Sequence, residues 1–136
     1  MISQIDVSLE IISLKDFLEK KTLFFSEINI NKVKTAWDFI SFLSKPKCTI
    51  HIIGTNGKGS TGRILAEYLL KKDYSVLHYT SPHILKFNER IWINGNDIDD
   101  STLEKAHQKL QKLLPQEHIE NLSYFEYTTL LALLLS

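Results

Sequence analysis

The stretch Thr49-Ile50-His51-Ile52-Ile53-Gly54-Thr55-Asn56-Gly57-Lys58-Gly59-Ser60-Thr61-Gly62 decides how the chain is read. Residues 49–53 form a short isoleucine-rich run bounded by glycine, the pattern of a buried parallel strand. Gly54, Gly57 and Gly59 supply a turn that a ligand can approach closely. Ser60 and Thr61 are residue types that start helices, and Ile64, Leu65, Tyr68 and Leu69 recur on one helical face. A strand that feeds a helix through such a loop aims free N–H groups and the positive end of a helix dipole at one point, which suits an anion and most often a phosphate. Lys58 adds a full charge able to reach outer phosphates, and the hydroxyls of Ser60 and Thr61 are available to phosphate or metal. The loop is a shorter variant of the general phosphate-loop pattern: Ile52 stands where its first glycine would be, and Gly59 where its hydroxyl would be. The plain alternative is a glycine-rich structural turn carrying a surface lysine.

Composition allows one globular core: of 136 residues, 43% are hydrophobic and 24% charged. Sixteen basic residues balance sixteen acidic ones, so no charge excess points to nucleic acid or to a membrane surface. The five histidines are scattered without metal-ligand spacing. Cys48 is alone, which fits a reducing, cytoplasmic compartment, and its place before the central run predicts a small buried hydrophobe. Residues 1–10 lack the positive start of a signal peptide. The apolar run 130–135 is too short to span a bilayer, and with no cap, glycine or proline after it the reading expects a boundary inside a helix.

Around this centre, residues 9–20 are predicted helical, with Leu9, Ile12 and Phe17 inward. Residues 22–30 read as a loop. A stronger helix is expected over 31–43, capped by Asn31, with Val33, Ala36, Trp37, Ile40 and Leu43 at helical spacing. Residues 75–79 are a second strand, completing a right-handed βαβ unit whose strand ends, Ile53 and Tyr79, mark the ligand side. That brings Thr80-Ser81-Pro82-His83 near the phosphate loop. Residues 86–90 read as a mobile loop in which Glu89 and Arg90 pair on the surface. Asn94-Gly95 signals a hairpin turn. Ser101 to Glu104 is a capping-box pattern opening an amphipathic helix with Leu103, Ala106, Leu110, Leu113 and Leu114, closed by Pro115. Ser123 to Glu126 is a second capping box, opening a helix over 127–135.

Four stretches, taken in order and spacing, resemble the folylpolyglutamate synthase/dihydrofolate synthase family of the Mur ligase superfamily. They are Gly54-Thr55-Asn56-Gly57-Lys58-Gly59-Ser60, Tyr79-Thr80-Ser81-Pro82-His83, Phe87-Asn88-Glu89-Arg90-Ile91 and Leu122-Ser123-Tyr124-Phe125-Glu126-Tyr127. The likeness runs from Leu18 onward. It implies an α/β fold: a P-loop-containing, Mur ligase-like ATPase domain with a mostly parallel sheet, truncated. Residues 1–136 would be the N-terminal portion of the ATP-binding domain, without the glutamate-binding C-terminal domain. The implied parent is an ATP-dependent carboxylate–amine ligase, monomeric at full length, that joins L-glutamate to dihydropteroate or folate through an acyl phosphate. Its cofactors are ATP and Mg²⁺. Gly54, Thr55, Asn56, Gly57, Lys58, Gly59 and Ser60 would hold the nucleotide, with Lys58 catalytic, and Ser81 would hold Mg²⁺. Tyr124, Phe125 and Glu126, with Ser26, Glu27 and Ile28, would line the pteroate site. The remaining metal ligands, a glutamate and a histidine, fall outside these residues, so the segment is expected to be inactive alone. Two other readings stay open: a Mur ligase acting on a UDP-linked cell-wall precursor, and a non-catalytic nucleotide-binding module.

Overall fold

The computed structural model describes residues 11–23, 30–44 and 46–136. The described elements are α1 (Leu14–Glu19), α2 (Ile30–Asp38), α3 (Lys58–Leu70), β1 (Leu77–Tyr79), a 3₁₀ helix (Phe87–Arg90), β2 (Ile91–Ile93), β3 (Asn96–Asp97), α4 (Asp100–Leu113), α5 (Gln116–Asn121) and α6 (Tyr124–Leu134). The fold is mixed α and β.

Helix α6 is the hub. Its sequence is apolar on nearly every side, the pattern of an interior helix, and Tyr127, Thr128, Leu130 and Leu131 are fully buried. α4 and α2 pack against it, α1 lies on α4, and α5 lies on α2. α4 contributes the inward stripe Leu103, Ala106 and Leu110, and α2 contributes Ala36. The core therefore sits among five helices, with Ile91 and Ile98 closing it from the sheet side.

The sheet has three strands in the order β1-β2-β3, and both pairings are antiparallel. Leu77 pairs with Ile93 and Tyr79 with Ile91. Asn94 (φ 46°) and Gly95 (φ 107°) form the tight turn between β2 and β3, as the Asn-Gly dipeptide predicts. The expected strand over residues 49–53 is not formed among the described residues. That segment carries no ladder, and Ile50 and Ile53 are exposed, at 55% and 82%. A strand is a property of a pair, and among the described residues no strand is paired with this segment.

Other boundaries shift for local reasons. α1 starts at Leu14 because Ser13 caps it, accepting from the Asp16 N–H; Leu14 and Leu18 turn inward while Ile12 stays exposed. Leu9 lies outside the described residues. Asn31 is inside the first turn of α2, where its carbonyl accepts from Thr35 Oγ1, so it is not the cap. That helix ends at Asp38 and gives way to turns that bury Ile40 and leave Leu43 exposed. Cys48 is exposed rather than buried.

α4 is capped by Asp99, which accepts from the Thr102 N–H and Oγ1, rather than by Ser101. Glu104 instead accepts from the Leu14 N–H at 3.0 Å, tying α4 to α1. Pro115 ends α4 and opens α5, a helix that the apolar spacing does not announce. Near the end of α6, Leu131 and Leu134 are buried and Leu135 is half-buried. Among the described residues, no helix is long and apolar enough to cross a membrane.

Candidate nucleotide and substrate site

α3 begins at Lys58, directly after the glycine turn. Gly57 is its N-cap with φ 72°, a left-handed conformation that favours glycine, and no side chain caps the helix. The first intrahelical bond runs from the Thr61 N–H to the Gly57 carbonyl at 2.9 Å. The N–H groups of Lys58, Gly59 and Ser60 precede that bond, so they are the donors a helix start leaves for a ligand. Ser60 and Thr61 thus lie within the first turn and do not initiate it. Lys58 Nζ donates to the carbonyl of Gly54 at 2.7 Å and, more weakly, to that of Thr55 at 3.5 Å. The lysine folds over the mouth of its own loop, and the whole loop is exposed.

The buried face of α3 is Gly62 and Ala66, not Ile64 and Tyr68, which are exposed at 68% and 56%. A β-carbon at Gly62 would meet His78 Nε2 at 2.5 Å and Ile52 Cδ1 at 3.3 Å. One at Gly59 would meet Thr80 Oγ1 at 3.3 Å. These two glycines let the helix lie against β1 and against the turn that follows it. The expected closeness of the phosphate loop to the turn after β1 is present at Thr80, which lies against Gly59. Nδ1 of His78 is buried with no hydrogen-bond partner among the described residues. Burial, and next the charge of Arg63, lower the His78 pKa.

Thr80 is fixed by its N–H, which donates to the Arg90 carbonyl at 2.9 Å. Ser81 and Pro82, joined by a cis peptide bond, follow in an exposed turn. Among the described residues, no group of three or more His, Cys, Asp or Glu is placed to hold a metal. Ser81 and Thr80 offer hydroxyl oxygens, the donor type a hard cation takes.

Residues 86–90 are ordered by two charges that do not pair with each other. The Glu89 carboxylate accepts from the N–H groups of Ile84, Leu85 and Lys86 at 2.8–2.9 Å. Those bonds, Ile84 first and then Lys86, hold its pKa below the usual carboxylate range. Arg90 is buried at 8% exposure, with its guanidinium 5.7 Å from the Phe87 ring centre and 5.2 Å from that of Tyr124. Its Nε donates to His83 Nδ1 at 2.8 Å. Asn88 completes the segment by donating to the Ile98 carbonyl and to Asp100. Arg90 thus joins the Ser81–His83 turn to the start of α6, a role that sequence spacing did not reveal. The signal available was an arginine between β-forming residues and aromatics, which is equally a surface pattern.

At the α6 start, Ser123 and Glu126 form the expected capping box: the Glu126 N–H donates to Ser123 Oγ at 3.3 Å, and the Ser123 N–H to Glu126 Oε2 at 2.8 Å. Phe125 is half exposed at 49%, its ring centre 6.4 Å from that of Tyr79. Tyr124 is half buried, its ring centre 6.4 Å from that of Phe87. Burial raises the Tyr124 pKa. The fold therefore brings Thr80-Ser81, Arg90 and Tyr124-Phe125-Glu126 into one neighbourhood beside the glycine loop. Ser26, Glu27 and Ile28 lie outside the described residues.

No family model matches the chain. Individual proteins do. The chain is 34% identical over 117 residues to the dihydrofolate synthase/folylpolyglutamate synthase of Haemophilus influenzae, covering 86% of this chain and 26% of that protein. The folylpolyglutamate synthetase of Helicobacter pylori superimposes with a TM-score of 0.77 at 43% identity, over 90% of this chain and 31% of that one. A bifunctional folylpolyglutamate synthase/dihydrofolate synthase with Mn, AMPPNP and L-glutamate bound superimposes with a TM-score of 0.74 at 29% identity, over 89% of this chain and 28% of that one. The chain spans about a quarter of the length of the curated relatives it matches. Over the stretch that it shares with them, the chain belongs to the folylpolyglutamate synthase/dihydrofolate synthase family.

Proposed function

We propose that the full-length protein carrying this chain is an ATP-dependent ligase that forms an amide between a carboxylate of dihydropteroate or folate and the amino group of L-glutamate. The observation that carries the reading is the uncapped start of α3, with Lys58 at its mouth and Thr80 against Gly59. It sits within a chain similar over most of its length to ligases of this kind. One relative binds a nucleotide analogue, Mn and L-glutamate; ATP and Mg²⁺ are the corresponding ligands proposed here. Residues 1–136 are then the first part of an ATP-binding domain. In that domain residues 49–53 are a strand of a mostly parallel sheet whose neighbours come from the rest of the protein.

A carboxylate is a poor electrophile; transfer of the γ-phosphoryl group of ATP to its oxygen would release ADP and give an acyl phosphate, which the amine of glutamate attacks with loss of inorganic phosphate and a proton. Phosphoryl transfer of this type relies on positioning and on stabilising charge. The N–H groups of Lys58, Gly59 and Ser60 bind phosphate oxygens. Lys58 leaves the Gly54 carbonyl and turns its ammonium to the outer phosphates, while Thr55 and Asn56 shape the loop. Ser81 gives a hydroxyl ligand to Mg²⁺. When bound, Mg²⁺ supplies neutralisation of charge on the phosphates. Phe125 offers a flat apolar face to the pteridine ring, and Tyr124 walls it. Glu126 accepts from ring N–H groups with the oxygen that its cap leaves over. Ser26, Glu27 and Ile28 are further candidates for this pocket on the family resemblance alone.

The test assays the full-length protein with ATP, Mg²⁺, L-glutamate and either dihydropteroate or folate, beside its Lys58→Ala variant. Amide product from the wild type and none from the variant, with circular dichroism unchanged, is expected. A wild type that forms no amide with dihydropteroate or folate rejects the proposed activity. A variant with near-normal turnover removes Lys58 from the phosphate site.

A further inference from the structure

We infer that Tyr79 is a positioning residue for the substrate's ring, holding Phe125 in register with the Thr80-Ser81 turn through a chain of hydroxyl groups. The directions of the bonds follow from proton counts. Thr128 Oγ1 lies 3.1 Å from the Phe125 carbonyl, and Thr129 Oγ1 lies 2.8 Å from it. A carbonyl only accepts, so both threonines donate to it. Thr128 has then used its one proton, and its oxygen, 3.0 Å from Tyr79 Oη, accepts from the tyrosine. Thr129 Oγ1 is 3.4 Å from the same Oη, too far to compete with its shorter bond. The chain runs from Tyr79 to Thr128 to the Phe125 backbone.

This link joins the end of β1 to the start of α6, beside the contacts that Arg90 makes to His83 and Tyr124. Tyr79 is the last residue of β1, immediately before Thr80 and Ser81, and its backbone is fixed by pairing with Ile91. Thr128 is fully buried on α6. Phe125 sits on the first turn of α6 with its ring half exposed and facing that of Tyr79 at a 32° tilt. The ring lies beside that of Tyr79, and its carbonyl, in the first turn of α6, accepts from both threonine hydroxyls. Tyr79 therefore sets the distance between a ring-binding face and the hydroxyl turn beside the phosphate loop. For a ligase, that distance decides whether the substrate's carboxylate reaches the phosphoryl group.

This inference rests on the ligase reading, and the experiment separates the two. Full-length wild type, Tyr79→Phe, Thr128→Val and Thr128→Ser are assayed with dihydropteroate, ATP and L-glutamate varied in turn. Tyr79→Phe keeps the ring and removes the hydroxyl. It is expected to raise the KM for dihydropteroate by about 3- to 10-fold, the scale of one lost hydrogen bond, with the KM for ATP unchanged. Thr128→Val behaves alike, Thr128→Ser restores the wild-type value, and the double variant Tyr79→Phe/Thr128→Val is no worse than either single one. An unchanged dihydropteroate KM in Tyr79→Phe, equal rises for ATP and dihydropteroate, or additive effects in the double variant would overturn the inference while the ligase reading stands. A wild type that makes no amide overturns the ligase reading and this inference with it.

Discussion

Gly62 on α3 and His78 on β1 meet so closely that a β-carbon on the glycine would stand 2.5 Å from the imidazole Nε2. This contact sets how near α3 lies to the sheet. Nδ1 of the same ring is buried with no hydrogen-bond partner among the described residues.

Gly62→Ala sets two effects against each other. Alanine favours an exposed helix interior by ~1 kcal/mol, whereas overpacking a filled contact costs ~1–3 kcal/mol. The neighbours are a ring on a paired strand and the tip of Ile52, and only the tip moves freely. A net loss of about 1 kcal/mol is expected in urea unfolding. A variant as stable as the wild type would show that the ring gives way.

Stability is expected to fall with acid through His107, which is fully buried. Its Nε2 lies 3.0 Å from the Ile12 carbonyl and therefore carries the proton, so Nδ1 accepts from the Tyr127 hydroxyl at 2.8 Å. Gln111 in turn donates to that hydroxyl at 3.0 Å. A second proton on the ring would leave the buried tyrosine proton without an acceptor. Burial lowers the His107 pKa, opposed by the Ile12 carbonyl and by the charge of Glu104. A folded pKa below the unfolded value of ~6.5 means that the unfolded chain binds more protons. The contribution is whole above ~pH 6.5 and declines as the pH falls below it. Chemical unfolding between about pH 5 and 8 checks this: His107→Gln should flatten the slope, leaving the part due to His78. Equal slopes in the two proteins would remove His107 from the account.

Ser81 is exposed and has no hydrogen bond within the fold among the described residues, so Ser81→Ala should change stability by less than ~0.5 kcal/mol. On the proposed ligase reading, in the full-length protein it is expected to raise the Mg²⁺ concentration needed for half-maximal rate. If titration with Mg²⁺ gives the same midpoint, Ser81 is a turn residue only.

Local signals were legible in the sequence, and pairings were not. The Ser123–Glu126 capping box and the Asn94-Gly95 turn form where they are expected because each is completed within four residues. The α4 stripe is legible because a helix period needs no partner to be seen. Residues 49–53 have the composition of a buried strand, but composition does not supply the neighbour that a ladder requires. The inward face of α3 was misread because Gly62 and Ala66 are buried through smallness, which lets β1 come close, whereas hydrophobic periodicity gives weight to Ile64 and Tyr68. Glu89 and Arg90 look like a surface pair because they are adjacent and opposite in charge. Three backbone N–H groups outbid the arginine for the carboxylate, and two aromatic faces take the arginine. In the site, the loop and the α6 start were legible as motifs. Arg90 and Tyr79 were not, because their partners lie 34 and 49 positions away, at Tyr124 and Thr128.

Arg90→Met is expected to be the most costly of these substitutions. The arginine is 92% buried, its guanidinium lies 5.7 Å and 5.2 Å from the ring centres of Phe87 and Tyr124, and its Nε donates to His83 Nδ1 at 2.8 Å. Methionine keeps much of the packing and the apolar stem but loses the cation and the donor. A hydrogen bond from a charged group contributes ~1.5–3 kcal/mol, and a desolvated cation over a ring adds ~0.5–2 kcal/mol. Methionine spares the cost of burying a charge, which offsets part of this. A loss of about 2 kcal/mol in unfolding free energy is the expected balance. Lysine is not a substitute, because a point charge cannot stack as a plane and donate sideways to His83 together. Arg90→Lys should therefore recover less than half of the loss. Chemical denaturation of the wild type and both variants measures this, with near-ultraviolet circular dichroism reporting on Phe87 and Tyr124. If Arg90→Lys matches the wild type in both, charge alone sustains the cluster, and the planar stacking and the bond to His83 contribute nothing measurable.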